Sequence, residues 1–134
     1  MPDDDQPLLH VCVTCKNAKL PAPGEDDPAH GRVLFERIAA KLEADGEAPI
    51  AVEPIVCMAN CEQGCSVAIS APGKWSYLLG HLTPDHADDL ITYGAAFRAS
   101  KKGTVFRSKR PASLYDAIVA RFPGMLAKDE EPQT

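Results

Sequence analysis

No apolar run in this 134-residue chain comes near the length needed to cross a bilayer, so nothing in the sequence predicts a membrane protein. A secretory signal needs a basic start followed by an apolar stretch. Met1 to Gln6 instead carries Asp3, Asp4 and Asp5, and the expectation is a cytoplasmic protein. There is no excess of positive charge: 14 Lys and Arg stand against 19 Asp and Glu. A net charge of −5 argues against nucleic-acid binding, which needs a basic face toward the phosphates. Phosphate loops, nucleotide fingerprints and Ser/His/Asp sets are missing, as are internal repeats and low-complexity blocks.

What the chain does have is cysteine in two short segments. Cys12 and Cys15 lie near the start, and Cys57, Cys61 and Cys65 in the middle. In a reducing compartment grouped cysteines point to metal or redox chemistry before structural disulfides, and an odd count of five fits a disulfide framework poorly. Cysteine is also a common small core residue, which accounts for one or two of them but not for all five.

The length suits a single domain over residues 7–127, between a flexible acidic N-terminus at 1–6 and a flexible tail at 128–134. Leu8 to Val13 reads as a strand. Asp27 as cap and Pro28 at the first helical position predict a helix whose inner face is Leu34, Phe35, Ile38 and Leu42, closed by Gly46. Ile50 to Val56 reads as a second strand. Val67–Ser70 and Trp75–Leu79 read as a strand pair turning at Pro72-Gly73. Thr83-Pro84 opens a second long helix with Leu90, Ile91 and Ala95 inward, and Ser113 caps a short last helix over Leu114–Phe122. This order predicts an α/β protein built on a small sheet.

A strand–helix–strand unit puts its strands parallel through a right-handed crossover, so both end on one edge. Cys12 and Cys15 follow the first strand; Cys57 and Cys61 follow the second. Groups more than 40 residues apart should therefore meet at the carboxyl edge, where open α/β sheets place their sites. Four thiolates suit iron–sulfur or zinc. The reading takes Cys12, Cys15, Cys57 and Cys61 as metal ligands, and Cys65 as a substitute or supporting thiol beside the cofactor. Gly64 supplies a sharp turn in the loop between.

Cys57-x3-Cys61, Gly64 and the strand Val67-Ala68-Ile69 resemble the second cysteine pair of thioredoxin-like [2Fe–2S] ferredoxins. The wider pattern is similar to the bacterial DUF1636 family of predicted metal-binding proteins. It comprises Val11-Cys12-Val13-Thr14-Cys15, Cys57-x3-Cys61-x3-Cys65, Ser70-Ala71-Pro72-Gly73-Lys74-Trp75-Ser76-Tyr77 and Arg110-Pro111. The resemblance implies a thioredoxin-like ferredoxin fold, a small mixed sheet flanked by helices, with a cysteine-bound metal. It supplies no reaction. In this sequence the first pair is a tight Cys-x2-Cys where those ferredoxins space theirs more widely, and Cys65 stands where they commonly have proline.

The resulting expectation is a [2Fe–2S] electron carrier and not in itself an enzyme. A structural or sensory zinc site is the alternative, and a thiol–disulfide oxidoreductase through Cys12 and Cys15 ranks below both. His10, His30, His81 and His86 show no ligand spacing, Trp75 and Tyr77 read as core, and Asp88-Asp89 as a solvated helix face. Arg98, Lys101, Lys102, Arg107, Lys109 and Arg110 give residues 98–110 six positive charges and no acid. This segment is the expected docking surface, near the cluster edge, for a redox partner protein or an anionic ligand. A homodimer is the assembly considered.

Overall fold

A computed structural model describes residues 6–46, 48–57 and 64–123. Five strands form one mixed sheet: β1 (Leu8–Cys12), β2 (Ala51–Ile55), β3 (Val67–Ser70), β4 (Ser76–Leu79) and β5 (Ile118–Phe122), in the order β2-β1-β3-β4-β5. β1 and β2 are parallel, with Cys12 opposite Ile55, and every other neighbouring pair is antiparallel. The crossover between β1 and β2 is α1 (His30–Asp45). α2 (Ala87–Ala99) follows β4.

Alternation sets the faces. Leu9, Val11, Val67, Ile69, Tyr77 and Leu79 share one side of the pleat and are buried. Leu34 and Ile38 of α1, and Leu90, Tyr93 and Phe97 of α2, join them in a single core. Phe97 meets the Tyr77 ring edge-on at 6.3 Å between centroids. The opposite row, with Leu8, His10, Ala68 and Leu78, is only half-buried, so the described helices cover one face of the sheet.

Three expectations need correction. α1 begins at His30 with Ala29 as its cap, because Asp27 is committed elsewhere: its carboxylate accepts from the Gly24 N–H at 3.1 Å and closes a turn before the helix. Ala95 faces outward, since the inner stripe of α2 runs through Ala87, Leu90, Tyr93, Gly94 and Phe97. Residues 118–122 form an edge strand and not a helix. Leu114, Ile118 and Phe122 recur every four residues, which mimics a helix. The β-branched Ile118-Val119 pair, the register with β4 and the Gly80 N–H bond to the Ala117 carbonyl at 2.9 Å decide for a strand. The predicted Thr83 cap is present in full. Its hydroxyl accepts from Asp85 N–H and His86 Nδ1 accepts from Thr83 N–H, at the head of a 3-10 turn that runs straight into α2.

Candidate metal centre

The carboxyl ends of β1 and β2 and the lead-in to β3 meet at one edge of the sheet, because β1 lies between β2 and β3. The turn Cys12-Val13-Thr14-Cys15 is laced to both neighbours. Cys12 N–H donates to the Ser66 carbonyl at 3.1 Å on the β3 side. Val13 N–H donates to the Ile55 carbonyl at 2.9 Å on the β2 side, and the Thr14 hydroxyl donates to the Val56 carbonyl at 3.0 Å.

α1 closes the turn from behind. Gly31 N–H donates to the Cys15 carbonyl at 3.0 Å, which supplies the acceptor that Ala29 lacks as a cap. The approach requires glycine: a Cβ at position 31 would stand 1.9 Å from the Cys12 carbonyl oxygen. His30 fixes the next residues. Its Nδ1 accepts from Asn17 N–H at 3.0 Å, so its Nε2 carries the proton and donates to the Pro21 carbonyl at 2.9 Å. The Asn17 amide donates in turn to the Leu82 carbonyl at 3.0 Å.

Cys12 and Cys65 are fully buried, Cys15 is 4% exposed, and Cys57 lies exposed at the rim. The Cys12 and Cys15 sulfurs stand 2.9 Å apart. Cys65 Sγ lies 3.8 Å from the Cys15 carbonyl. Burial pushes the Cys15 thiol from an ordinary 9.0 up to about 12. The hydrogen bond to Cys12 and the Cys12 charge add to this, while hydrogen bonds from the Ser66 backbone and hydroxyl oppose it. Burial, then Cys12, pushes Cys65 up to about 11. Crowded, desolvated thiols of this kind hold their protons until a cation replaces them. Among the described residues, no three His, Cys, Asp or Glu side chains gather closely enough to hold an ion as they stand.

The donor set nevertheless suits a thiolate-bound metal. A tetrahedral ion with metal–sulfur bonds of ~2.3 Å holds its sulfurs ~3.8 Å apart. Cys12 and Cys15 need to part by less than ~1 Å to become such a half-site.

The family described as "Protein of unknown function (DUF1636)" matches residues 9–124. The chain belongs to this family. No functionally curated protein is significantly similar to it. A thioredoxin-like [2Fe–2S] ferredoxin from Aquifex aeolicus is 18% identical, with a TM-score of 0.54 over 90% of this chain and 98% of that one. A second structure, of the wild-type ferredoxin, gives 18% identity and 0.52 over 86% and 97%. A cysteine-to-serine variant of it gives 15% and 0.53 over 85% and 98%. This DUF1636 protein therefore has the thioredoxin-like ferredoxin fold.

Of the five cysteines, the fold brings Cys12, Cys15 and Cys65 into one buried patch and sets Cys57 at its solvent edge; Cys61 lies outside the described residues. Residues that sequence reasoning missed support the patch: Ser66, Asn17, His30 and Gly31. A glycine in the first turn of a helix was the one visible signal.

The remaining motifs of the DUF1636 pattern serve the fold. Gly73 adopts φ +77 in the turn between β3 and β4. The buried Lys74 ammonium caps the C-terminus of α2, donating to the Phe97 and Arg98 carbonyls at 3.0 and 2.6 Å. Arg110 donates to the Val105 carbonyl at 3.2 Å and the Tyr115 carbonyl at 2.7 Å. Trp75 N–H donates to the Lys102 carbonyl, next to the β4 end that lies beside Leu8. The start of the basic segment thus sits at the opposite end of the sheet from the cysteines, while Arg107 and Arg110 at its other end contact Asp116 and Tyr115, just before the Ala117 carbonyl that binds Gly80 N–H. Among the described residues, no helix is long and apolar enough to cross a membrane.

Proposed function

We propose that this protein carries a cysteine-bound metal centre at the β1/β2/β3 edge, specifically a [2Fe–2S] cluster that serves electron transfer. The observation that carries the reading is the buried Cys12–Cys15 sulfur pair, 2.9 Å apart, with the buried Cys65 sulfur 3.8 Å from the Cys15 carbonyl. A reducing, metal-free role gives three desolvated thiols little reason to share one patch. The solved relatives of the same fold are [2Fe–2S] ferredoxins, and four thiolates are what such a cluster takes.

The residues that would hold it are Cys12 and Cys15 from the first turn, with Cys57 and Cys61 from the second segment and Cys65 as a substitute or supporting thiol. When bound, the cluster supplies a one-electron carrier. The protein's part is to exclude water and set the potential. Leu82, buried, pairs with the Cys65 backbone in both directions and seals the inner side. The Ser66 donors aim at the Cys15 sulfur and favour its anionic form. Cys57 and the 69%-exposed Val56 form the rim where a partner could approach. Zinc is the second reading, favoured by the tight Cys12-x2-Cys15 half-site.

Anaerobic purification followed by absorption and EPR spectroscopy, with iron and sulfide assays, decides. The expected sample is red-brown with about two irons and two sulfides per chain. A colourless, folded protein holding stoichiometric zinc overturns the electron-transfer reading.

Docking of an anionic partner on segment 98–110 rests on Lys101 and Lys109, both exposed; Arg110 is committed to backbone carbonyls. Changing both lysines to Ser should leave the fold intact and reduce the salt dependence of electron exchange. An unchanged salt dependence returns the segment to an ordinary solvated loop.

A further inference from the structure

Five thiols compete for four places, and counting strand ends favours Cys57 and Cys61 over Cys65. The geometry points to the reverse for Cys65: it is a primary ligand of the metal centre, completing a buried three-thiolate set with Cys12 and Cys15. This inference rests on the metal-binding function proposed above and names a residue of that site.

Three observations carry it. First, burial separates the thiols into two kinds. Cys12, Cys15 and Cys65 are between 0 and 4% exposed, whereas Cys57 is exposed on the rim. Secondly, the backbone on either side of Cys65 is fixed against the Cys12–Cys15 turn. The residue after it accepts the Cys12 N–H through the Ser66 carbonyl, and Cys65 itself exchanges two backbone hydrogen bonds with Leu82, at 3.2 and 3.1 Å. The residue before it is Gly64, where an added Cβ would meet the Lys16 carbonyl oxygen at 2.6 Å and Cys15 Cβ at 3.2 Å. The chain passes this close only because Gly64 has no side chain. Thirdly, the Cys65 sulfur already faces the first cysteine turn, 3.8 Å from the Cys15 carbonyl.

A buried cysteine with no role beyond packing would tolerate replacement by a residue of its own size without any effect on metal. A ligand would not. The rim position of Cys57 suits a solvent-side ligand.

The test uses the full chain and Zn²⁺ as probe, in competition with a chromophoric chelator, for wild type, Cys65→Ser and Cys57→Ser. Iron and sulfide content after anaerobic reconstitution is measured on the same samples, and circular dichroism shows that each variant is folded. Cys65→Ser should weaken Zn²⁺ binding by more than about 100-fold, beyond what loss of a merely supporting partner costs, and should fail to retain the cluster. A smaller loss overturns the assignment and leaves Cys65 a packing residue. Where the serine hydroxyl prevents folding, Cys65→Ala carries the same test. Wild type that binds neither Zn²⁺ nor a cluster overturns the proposed function and this assignment with it. Wild-type binding retained in the folded Cys65 variant overturns the assignment alone.

Discussion

Gly31→Ala separates a helix-forming position from a site-forming one. Alanine is the better helix former by up to about 1 kcal/mol, so a glycine near the start of α1 with no other duty would be improved by the change. The structure predicts the opposite. The new Cβ would lie 1.9 Å from the Cys12 carbonyl oxygen and 3.1 Å from its carbon. Relief requires α1 and the cysteine turn to part by more than an ångström. That movement breaks the Gly31 N–H bond to the Cys15 carbonyl, worth about 1 kcal/mol, and adds an overpacking cost of about 1–3 kcal/mol. After the gain in helix propensity the net is a loss of about 2 kcal/mol. For a domain of this size that lowers the melting temperature by roughly 5–10 °C. Thermal and urea unfolding of the metal-free chain measure it, and Zn²⁺ uptake reports whether Cys12 and Cys15 have been displaced. Gly46→Ala is the control. Its φ of +72 makes it costly too, by about 1 kcal/mol, but nothing lies within 4 Å of its Cβ and the cysteines are untouched. A Gly31→Ala protein that melts at or above wild type, with unchanged metal uptake, would refute the claim that this glycine exists to let α1 press on the turn.

Metal-free protein should lose stability as the pH rises above about 9, because Cys15 and Cys65 keep their protons to about 12 and about 11 when folded but release them near 9.0 when unfolded. Their contribution is complete below pH 9 and fades toward pH 11–12; urea unfolding across that range should steepen for wild type and flatten for Cys15→Ala. Tyr93→Phe should be neutral or stabilising by up to about 1 kcal/mol, since the Tyr93 hydroxyl is buried with no hydrogen-bond partner among the described residues; a loss above that in urea unfolding would show that the hydroxyl is satisfied. Arg110→Lys should cost about 1–2 kcal/mol, because a single ammonium cannot span the Val105 and Tyr115 carbonyls that the guanidinium bridges; an unchanged urea midpoint would return Arg110 to the solvated loop.

The sheet was legible where patterns were local. Alternation marked β1 and the β3–β4 pair, the amphipathic spacing of Leu34, Ile38 and Leu42 marked α1, and the parallel β1–β2 pairing followed from the crossover rule. β5 was misread because its apolar residues fit two periods at once, and only its partner strand chooses between them. Asp27 was misread as a cap because its competing bond to the Gly24 amide is invisible in sequence. The course of the basic segment was not legible, because α2 carries the chain from beside Leu82 at the cysteine edge to the far end of the sheet and residues 100–117 then return toward Gly80, a path set by tertiary contacts alone.

The same topology explains why the first segment's cysteines could be paired with the second segment's, but not ranked within it. Counting strand ends treats 57–65 as one loop hanging from β2. In the sheet order β2-β1-β3, however, its two ends belong to different strands, one on each side of β1. Cys57 leaves β2 on the outer flank of the Cys12 turn, where the sheet ends and solvent begins. Cys65 arrives on the inner flank, between that turn and the Leu82 segment, where Ser66 already binds the Cys12 amide. A spacing of eight residues along the chain therefore converts into opposite environments, one exposed, the other dry and held on both sides. Two cysteines that look equivalent in sequence acquire different chemistry because a strand lies between them.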